Sequence, residues 1–311
     1  MLTVILDALV PVFFVLALGY LAGRTRDIDN THVAELNSLI MDFAVPIAIF
    51  VAVSTASRTT LVQQIPLAII LAVSMLIVYG ATYFIIRRVN KLTPAEASIQ
   101  ALTTSLPNYA SAGLPLIAAL LGPTHVVSVA VSIACGAIVV SPLTLVILEA
   151  TSQKAGERHL WLVLYRALRK PIVLAPVLAV LFVVSGAELP TLAVKSLNLI
   201  GQVAGGAALF LTGLILSAQK LRIGRSAGLQ TLAANVVHPL IAAGLAWLFA
   251  VSPLTAREAI VLSALPTGFF GILFGLRFGL RSEVVGATLL ASTVLSAITL
   301  AAAIYFTAGL V

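Results

Sequence analysis

Two stretches of the sequence combine a helix-breaking proline with polar or small residues inside segments that are otherwise apolar. The first consists of Pro107, Asn108, Tyr109, Ser111, Gly113 and Pro115, and the second consists of Pro266, Thr267, Gly268, Phe269 and Phe270. A proline inside a helix removes a backbone N–H donor and clashes with the preceding turn. In hydrocarbon, the backbone groups freed in this way need protein or a water-filled cavity as partners, so each break predicts a polar cavity.

The chemistry that suits such breaks is the binding of an anion. A half-helix that begins inside a membrane presents free N–H groups and a positive dipole end, which favour a carboxylate. Asn108 follows the first proline directly, and Thr267 is its polar counterpart after the second. A buried amide needs hydrogen-bond partners, so we expect substrate contact from Asn108 rather than a simple proline kink. The Tyr109 hydroxyl could contact substrate or cap a neighbouring group.

The remaining residues of the two breaks leave alternatives open. Phe269 and Phe270 could line an apolar pocket wall, or belong to the core. Gly271, Gly275 and Gly279 follow at every fourth position, a spacing that is typical of tight helix packing and needs no further function.

Asp42 and His238 are candidates for ion coupling because each lies inside an apolar span. An ionisable group within a membrane is costly and is usually functional. Asp42 could bind a proton or cation, could pair with a nearby basic residue, or could be hydrated one or two turns from the cytoplasmic surface. His238 could titrate or donate to an anion, or it could be a hydrogen-bonded packing residue.

The elements that must position these residues are membrane helices. The chain has 311 residues, of which 60% are hydrophobic and only 9% charged, so a soluble domain is excluded and an all-α polytopic membrane protein is predicted. We expect ten transmembrane helices, at 2–23, 36–54, 65–86, 95–120, 124–148, 171–186, 191–217, 227–250, 258–280 and 284–308.

The basic residues predict how these spans are oriented. Fifteen of the 18 Lys and Arg residues fall in alternate loops, which places those loops in the cytoplasm and both termini outside. The net charge of +7 is explained by this bias, and no nucleic-acid partner is expected.

The two breaks also indicate an internal repeat. Each lies in a span that begins with an acidic residue and reaches Leu-Pro in its middle, and the two Leu-Pro pairs are 159 residues apart. A Val-Val pair follows each break at nearly the same distance. We therefore predict two five-helix repeats, 1–150 and 151–311, which form one membrane domain. Five is an odd number, so the second repeat would be inverted, as in many secondary transporters.

Enzyme motifs give no competing prediction. Neither HExxH nor a P-loop occurs, and no cofactor or metal is expected. Gly224, Ser226 and Gly228 match GxSxG but lie in a basic loop without the strand-turn-helix context of a nucleophile elbow.

Several segments resemble the auxin efflux carrier superfamily, which comprises plant PIN auxin exporters and bacterial relatives often labelled malonate transporters. The similar segments are "LNSLIMDFAVPIAIF", "LPNYASAGLPLI", "GGAALFLTGLILSAQKL" and "EAIVLSALPTGFFGILFGLRFG". The resemblance implies an NhaA/bile-acid-transporter-like fold in which spans 4 and 9 cross at their prolines. It also implies substrate contact at Asn108 and around Ala44, Val45 and Pro46, and a homodimer formed through a scaffold of spans 1, 2, 6 and 7.

The sequence thus predicts a secondary transporter of the bacterial inner membrane that moves a small organic carboxylate, such as malonate, by alternating access. Coupling to a proton or sodium gradient is expected. One alternative is an uncoupled or export carrier for a bulkier aromatic or amphipathic acid. Another is a membrane sensor that binds an anion without moving it.

Overall fold

A computed structural model describes residues 2–30, 33–151, 165, 169, 171–219, 224–280 and 282–310. Twelve helices lie within these residues: α1 Leu2–Thr25, α2 Ala34–Ser54, α3 Arg58–Val89, α4 Pro94–Ser105, α5 Tyr109–Leu121, α6 Pro123–Thr151, α7 Pro171–Ser185, α8 Thr191–Ser217, α9 Arg225–Leu248, α10 Pro253–Ser263, α11 Phe270–Arg277 and α12 Glu283–Leu310. The described residues contain no strand, which agrees with the predicted all-α class.

Seven of the described helices are long and apolar enough to cross a membrane, namely α1, α2, α3, α6, α8, α9 and α12. The chain is therefore an integral membrane protein. Two shorter apolar helices, α5 and α7, add to them. Both predicted breaks are present, because helix is interrupted between Ser105 and Tyr109 and between Ser263 and Phe270. The count of ten spans and the inverted repeat stay predictions.

The helices fall into two compact units. Unit 1 comprises Met1–Ala68, Tyr109–Ala134 and Arg169–Ala218, and unit 2 comprises Ile69–Asn108, Cys135–Leu168 and Gln219–Val311. Unit 1 thus contains α1, α2, α5, α7 and α8, whereas unit 2 contains α4 and α9 to α12. Each unit draws on both predicted repeats.

Within the described ranges, three wide π-helical turns occur inside the apolar helices, and each lies just before a proline. The turns are Leu39–Ala44, Tyr109–Gly113 and Ala233–Val237, and they precede Pro46, Pro115 and Pro239. A proline cannot donate to the carbonyl four residues earlier and clashes with it. A π-turn widens the helix at this point, which relieves the clash and leaves backbone carbonyls without a regular partner.

In unit 1, α1 and α8 pack with their backbones in direct contact. A Cβ at Gly213 would lie 2.7 Å from the Tyr20 nitrogen and would clash with the Leu16 carbonyl. A Cβ at Gly19 would meet the Phe210 carbonyl in the same way. The Asn30 amide closes one end of this contact by donating to Ser217 Oγ at 2.7 Å. Glycine is therefore required where the two helices cross, as in other small-residue membrane interfaces.

Gly213→Ala is expected to lower the free energy of unfolding by about 1–3 kcal/mol, because the added methyl group forces α1 and α8 apart. The measurement is the thermal unfolding midpoint of the purified protein in detergent. Gly80→Ala is the matched control, since a Cβ at Gly80 has no atom within 4 Å. This control should unfold at the wild-type temperature or slightly above it, because alanine favours helix over glycine. Equal destabilisation by both substitutions would contradict the close-packing argument.

Candidate functional site

The two proline breaks meet inside unit 2, where their extended backbones pair in antiparallel directions. Pro107 and Thr267 form an isolated β-bridge. The Asn108 N–H donates to the Pro266 carbonyl at 2.8 Å, and the Gly268 N–H donates to the Leu106 carbonyl at 2.9 Å. Each break therefore satisfies backbone groups that the other break has freed. This exchange makes an irregular backbone tolerable at membrane depth.

The break after α10 is anchored by two side chains that the sequence analysis did not single out. The Thr267 N–H donates to Ser292 Oγ at 3.0 Å, and Ser292 Oγ donates to Asn235 Oδ1 at 2.6 Å. Asn235 Nδ2 in turn donates to the Ser292 carbonyl at 3.0 Å. These bonds connect α9 and α12 to the break and fix the position of Thr267.

The polar side chains at the paired breaks are almost completely buried. Asn108 is 3% exposed and Thr267 is 1% exposed. Among the described residues, the hydroxyls of Thr267 and Ser105 have no hydrogen-bond partner. A buried hydroxyl without a partner costs free energy and commonly indicates a ligand or water site. The structure thus brings together Pro107, Asn108, Pro266, Thr267 and Gly268.

The half-helix α11 begins directly after the second break and packs against α4. A Cβ at Gly271 would clash with Thr103 Oγ1 and would lie 2.9 Å from the Ile99 carbonyl, which explains why this position is glycine. Gly279 differs from Gly271, because its φ of +71° lies in the left-handed region and ends the helix. The tight-packing interpretation of this glycine series is confirmed at Gly271.

Phe269 and Phe270 have different environments. Phe269 is fully buried, whereas Phe270 is half-buried, and their rings stack with centroids 5.6 Å apart. Phe269 therefore belongs to the core of unit 2. Phe270 is the more accessible of the two aromatic rings at the start of α11.

Five other predicted contact residues lie in unit 1 and are buried there. They are Tyr109, Ser111 and Gly113 in the π-turn of α5, and Val45 and Pro46 in α2. Pro115 lies against α8, where a Cβ at Gly205 would be 3.5 Å from the proline ring. The contribution of these five residues to substrate binding stays a prediction.

The two ion-coupling candidates have different local partners. In unit 1, half-buried Asp42 accepts a hydrogen bond of 2.6 Å from the Ser38 hydroxyl. In unit 2, His238 is fully buried, with Nε2 3.2 Å from Ser74 Oγ. Since Ser74 donates its hydroxyl hydrogen to the Leu71 carbonyl, it must accept from His238, which places the imidazole proton on Nε2. The Nδ1 atom of His238 has no partner among the described residues.

Polar side chains along α9 form part of the polar interior of unit 2. Gln230 Nε2 donates to Gln100 Oε1 at 2.7 Å and to Ser226 Oγ at 3.0 Å. One signal for this line is present in the sequence, because Ser226 and Gln230 are four residues apart and share a helix face. Ser226 lies at the start of α9 and also accepts from Asn90, so the GxSxG match is not a nucleophile elbow.

No group of three or more His, Cys, Asp or Glu side chains that could hold a metal ion occurs in the described part of the chain. The polar atoms at the paired breaks are amides, hydroxyls and backbone groups. This set can bind an anion through donors or a hard cation through oxygen atoms.

Comparison with known proteins agrees with this architecture. The profile of the family described as "Membrane transport protein" matches residues 4–304. The "Uncharacterized transporter YfdV" of Escherichia coli K12 is 27% identical over 296 residues, which cover 94% of each chain. A protein of Rhizobium meliloti 1021 named "Putative malonate transporter" is 28% identical over 310 residues, covering 95% of this chain and 93% of the relative.

The family match extends over nearly all of the described helices and both proline breaks. It confirms the resemblance to auxin efflux carriers that the motifs around Pro107 and Pro266 indicated. The chain belongs to the membrane transport protein family of auxin efflux carriers and is a membrane transporter.

Proposed function

We propose that the protein transports a small organic carboxylate, and that the substrate binds at the paired breaks of unit 2. The observation that carries this proposal is the reciprocal pairing of Asn108 with Pro266 and of Gly268 with Leu106. Two helices that end inside one membrane protein and exchange backbone bonds are costly to maintain for structural purposes alone. In secondary transporters, such breaks form the central binding site.

The charge distribution of the breaks favours an anion over a cation. The N-terminus of α11 brings a positive dipole end to the second break, where the Ile272 and Leu273 N–H groups already donate to the Phe269 carbonyl. The Thr267 hydroxyl lies three residues before this helix and is free to donate. Asn108 adds a side-chain amide, whose NH2 group is a hydrogen-bond donor. We assign the carboxylate of the substrate to these three groups.

The size class of the substrate is inferred from the burial of the breaks and from the relatives. Asn108 and Thr267 are nearly inaccessible, so a compact acid fits better than a large amphipathic one. Because Phe269 is fully buried, only one of the two aromatic rings that would have favoured a bulky aromatic acid is accessible to a substrate. The name of the Rhizobium meliloti relative points in the same direction, toward malonate or a similar mono- or dicarboxylate.

Transport would proceed by alternating access. The antiparallel bridge between Pro107 and Thr267 is the arrangement expected if the two breaks are equivalent parts of inverted repeats, which supports that proposal. Unit 1 contains the spans that the family resemblance assigns to the scaffold, and the scaffold would also form a homodimer. We propose the bacterial inner membrane as the location, with both termini outside.

The proposed driving force is a proton or sodium gradient, with Asp42 and His238 as the candidate coupling residues. The Nδ1 atom of His238 can accept a proton without breaking the bond to Ser74. Asp42 already accepts from Ser38 and can hold a proton or cation on its second oxygen. Protonation of His238 and ion binding by Asp42 are distinct coupling mechanisms, so the two residues are tested separately.

Purified protein in liposomes is expected to take up radiolabelled malonate faster when an inward proton gradient (outside more acidic than inside) or an inward sodium gradient is imposed. His238→Gln and Asp42→Asn should each be measured with and without the gradient. The coupling residue is the one whose substitution removes the acceleration but leaves slow exchange of labelled for unlabelled malonate. A wild-type malonate uptake rate that changes with neither gradient would overturn the coupled mechanism. Faster transport of phenylacetate than of malonate would favour the aromatic-acid carrier.

A further inference from the structure

Arg257 is a buried cation of unit 2 that has no partner among the described residues. It belongs to α10, five residues after the N-cap residue Ser252, and only 9% of its surface is exposed. Its Nε atom is buried without a hydrogen bond, and no carboxylate in the described ranges forms an ion pair with it. An uncompensated buried charge is strongly destabilising, so such a residue indicates a ligand that supplies the missing negative charge.

Groups close to Arg257 in the sequence do not satisfy it. Ser252 caps the first turn of α10, where its Oγ accepts from the Thr255 N–H at 3.2 Å. Glu258 follows Arg257 directly and is 1% exposed, but consecutive residues of a helix point about 100° apart and do not face each other. The guanidinium of Arg257 therefore remains available to an anion.

The burial of Arg257 distinguishes it from the other basic residues of the same predicted membrane face. The charge bias leaves Arg58, Lys195 and Arg257 outside the cytoplasmic loops. Arg58 is exposed and donates to the Val183 and Val184 carbonyls at 3.1 and 2.8 Å, and Lys195 is exposed as well. A basic side chain that binds lipid phosphates extends to the membrane surface in this way. The burial of Arg257 favours instead a small anion that enters the protein.

The helix that carries Arg257 leads to the second proline break. Arg257 lies six residues before Ser263, the last residue of α10, which is about 9 Å along the helix axis. The break with Pro266 and Thr267 follows directly. Arg257 is therefore a separate position from the paired breaks, on the half-helix that ends at them.

We propose that Arg257 captures the carboxylate of the incoming substrate before the substrate binds at the paired breaks. This inference rests on the proposed function, since it assigns a second position to the same organic anion. A planar guanidinium binds a carboxylate through two parallel N–H···O bonds. The attraction is stronger at a buried cation than at an exposed one, because water screens it less. Arg257 thus raises the local concentration of the anion and the rate at which the anion reaches the breaks.

The first test is the stability of the purified full-length protein in detergent without added substrate. Arg257→Met should raise the thermal unfolding midpoint by about 2 °C or more, because an apolar side chain replaces a buried charge that has no partner. Lys195→Met is the matched control, since it removes an exposed positive charge from the same predicted face and should leave the midpoint unchanged. A lower midpoint for Arg257→Met would show that Arg257 has a structural partner and would overturn the proposal.

The second test is the uptake of radiolabelled malonate into liposomes. Arg257→Met should raise the KM about tenfold, because the charged pair with the carboxylate is lost, and should leave the rate at saturating malonate unchanged. Arg257→Lys should give an intermediate KM, since its ammonium group keeps the charge but cannot form the two parallel bonds. Higher ionic strength should slow wild-type uptake at low malonate and have little effect on Arg257→Met.

Three further outcomes would contradict the capture role. A wild-type KM in Arg257→Met, or an equal rise in KM in Lys195→Met, would remove Arg257 from the route of the substrate. If phosphatidylglycerol raised the unfolding midpoint of the wild type but not of Arg257→Met, a lipid phosphate would be the anion that binds the guanidinium. A wild type that takes up no malonate would contradict the proposed function, whereas the unfolding midpoint of Arg257→Met tests the unpaired guanidinium whatever the substrate is.

Discussion

Asn108→Ala is expected to lower carboxylate affinity about tenfold to 150-fold and to reduce transport accordingly. The side-chain amide would lose a hydrogen bond to a charged group, which is worth about 1.5–3 kcal/mol. The fold should survive, because the bond of Asn108 to Pro266 involves the backbone N–H and is unaffected. The measurement is uptake of labelled malonate into liposomes, with a thermal unfolding midpoint as the check on folding.

The matched control for this prediction is Asn90→Ala. Asn90 is an exposed asparagine of the same unit whose side chain donates to Ser226 and does not belong to the paired breaks, so its loss should leave transport unchanged. A tenfold loss in both variants would show that the effect of Asn108→Ala is general destabilisation. Wild-type transport in Asn108→Ala would remove Asn108 from the proposed site.

The second large effect is expected for Asn235→Leu, which preserves side-chain size but removes both of its hydrogen bonds to Ser292. A buried polar group left unpaired costs about 1–3 kcal/mol, and here the Ser292 hydroxyl loses its acceptor. Ser292 would then reorient, and the Thr267 N–H would lose its partner as well. We expect transport to fall at least tenfold and the unfolding midpoint to drop.

This prediction separates a positioning role from a loss of packing. Ser292→Ala should have nearly the same effect on transport, and the double variant should cost less than the sum of the two, because both residues act on Thr267. Thr288→Val is the control, since Thr288 lies one turn earlier on α12 and its buried hydroxyl has no partner among the described residues. It should be neutral or stabilising. If the effects of Asn235→Leu and Ser292→Ala on transport were strictly additive, this would contradict the linked hydrogen bonds from Asn235 through Ser292 to Thr267.

The position of the proline breaks could be predicted from sequence because their cause is local. Pro107 and Pro266 disrupt their own helices wherever the chain places them, and apolar flanks identify the membrane. The need for partners followed from the cost of free backbone groups in hydrocarbon. That the two breaks satisfy one another is a tertiary fact, but the parallel spacing of the two Leu-Pro motifs already indicated that they were related.

The hydrogen bonds by which Asn235 and Ser292 fix the second break were not predicted, because they join residues that are far apart in the sequence. Asn235 and Ser292 are 57 residues apart, and nothing in either sequence neighbourhood indicates their pairing. A signal did exist, since an asparagine within an apolar span must find partners. The contact between α1 and α8 shows the same pattern: Gly19 and Gly23 are spaced as in a GxxxG motif, yet the partner helix could not be known.

Ionisable residues gave the least specific predictions. His238 and Asp42 were candidates only because charge is costly in a membrane, and that argument does not identify a partner. The bonds of His238 to Ser74 and of Asp42 to Ser38 are compatible with either a packing or a coupling role. Such roles depend on changes in protonation during the transport cycle, which sequence pattern alone does not encode.

An anion is proposed to bind where Asn108 and Thr267 meet, and malonate binding by a charged variant of similar size to asparagine is the most direct test. Equilibrium binding of malonate should be measured by calorimetry on purified wild type, Asn108→Ala and Asn108→Asp. We expect the aspartate variant to bind malonate more weakly than the alanine variant, because its carboxylate repels the substrate in addition to losing the amide donors. Malonate affinity in Asn108→Asp equal to that of the wild type would contradict an anion site at the paired breaks.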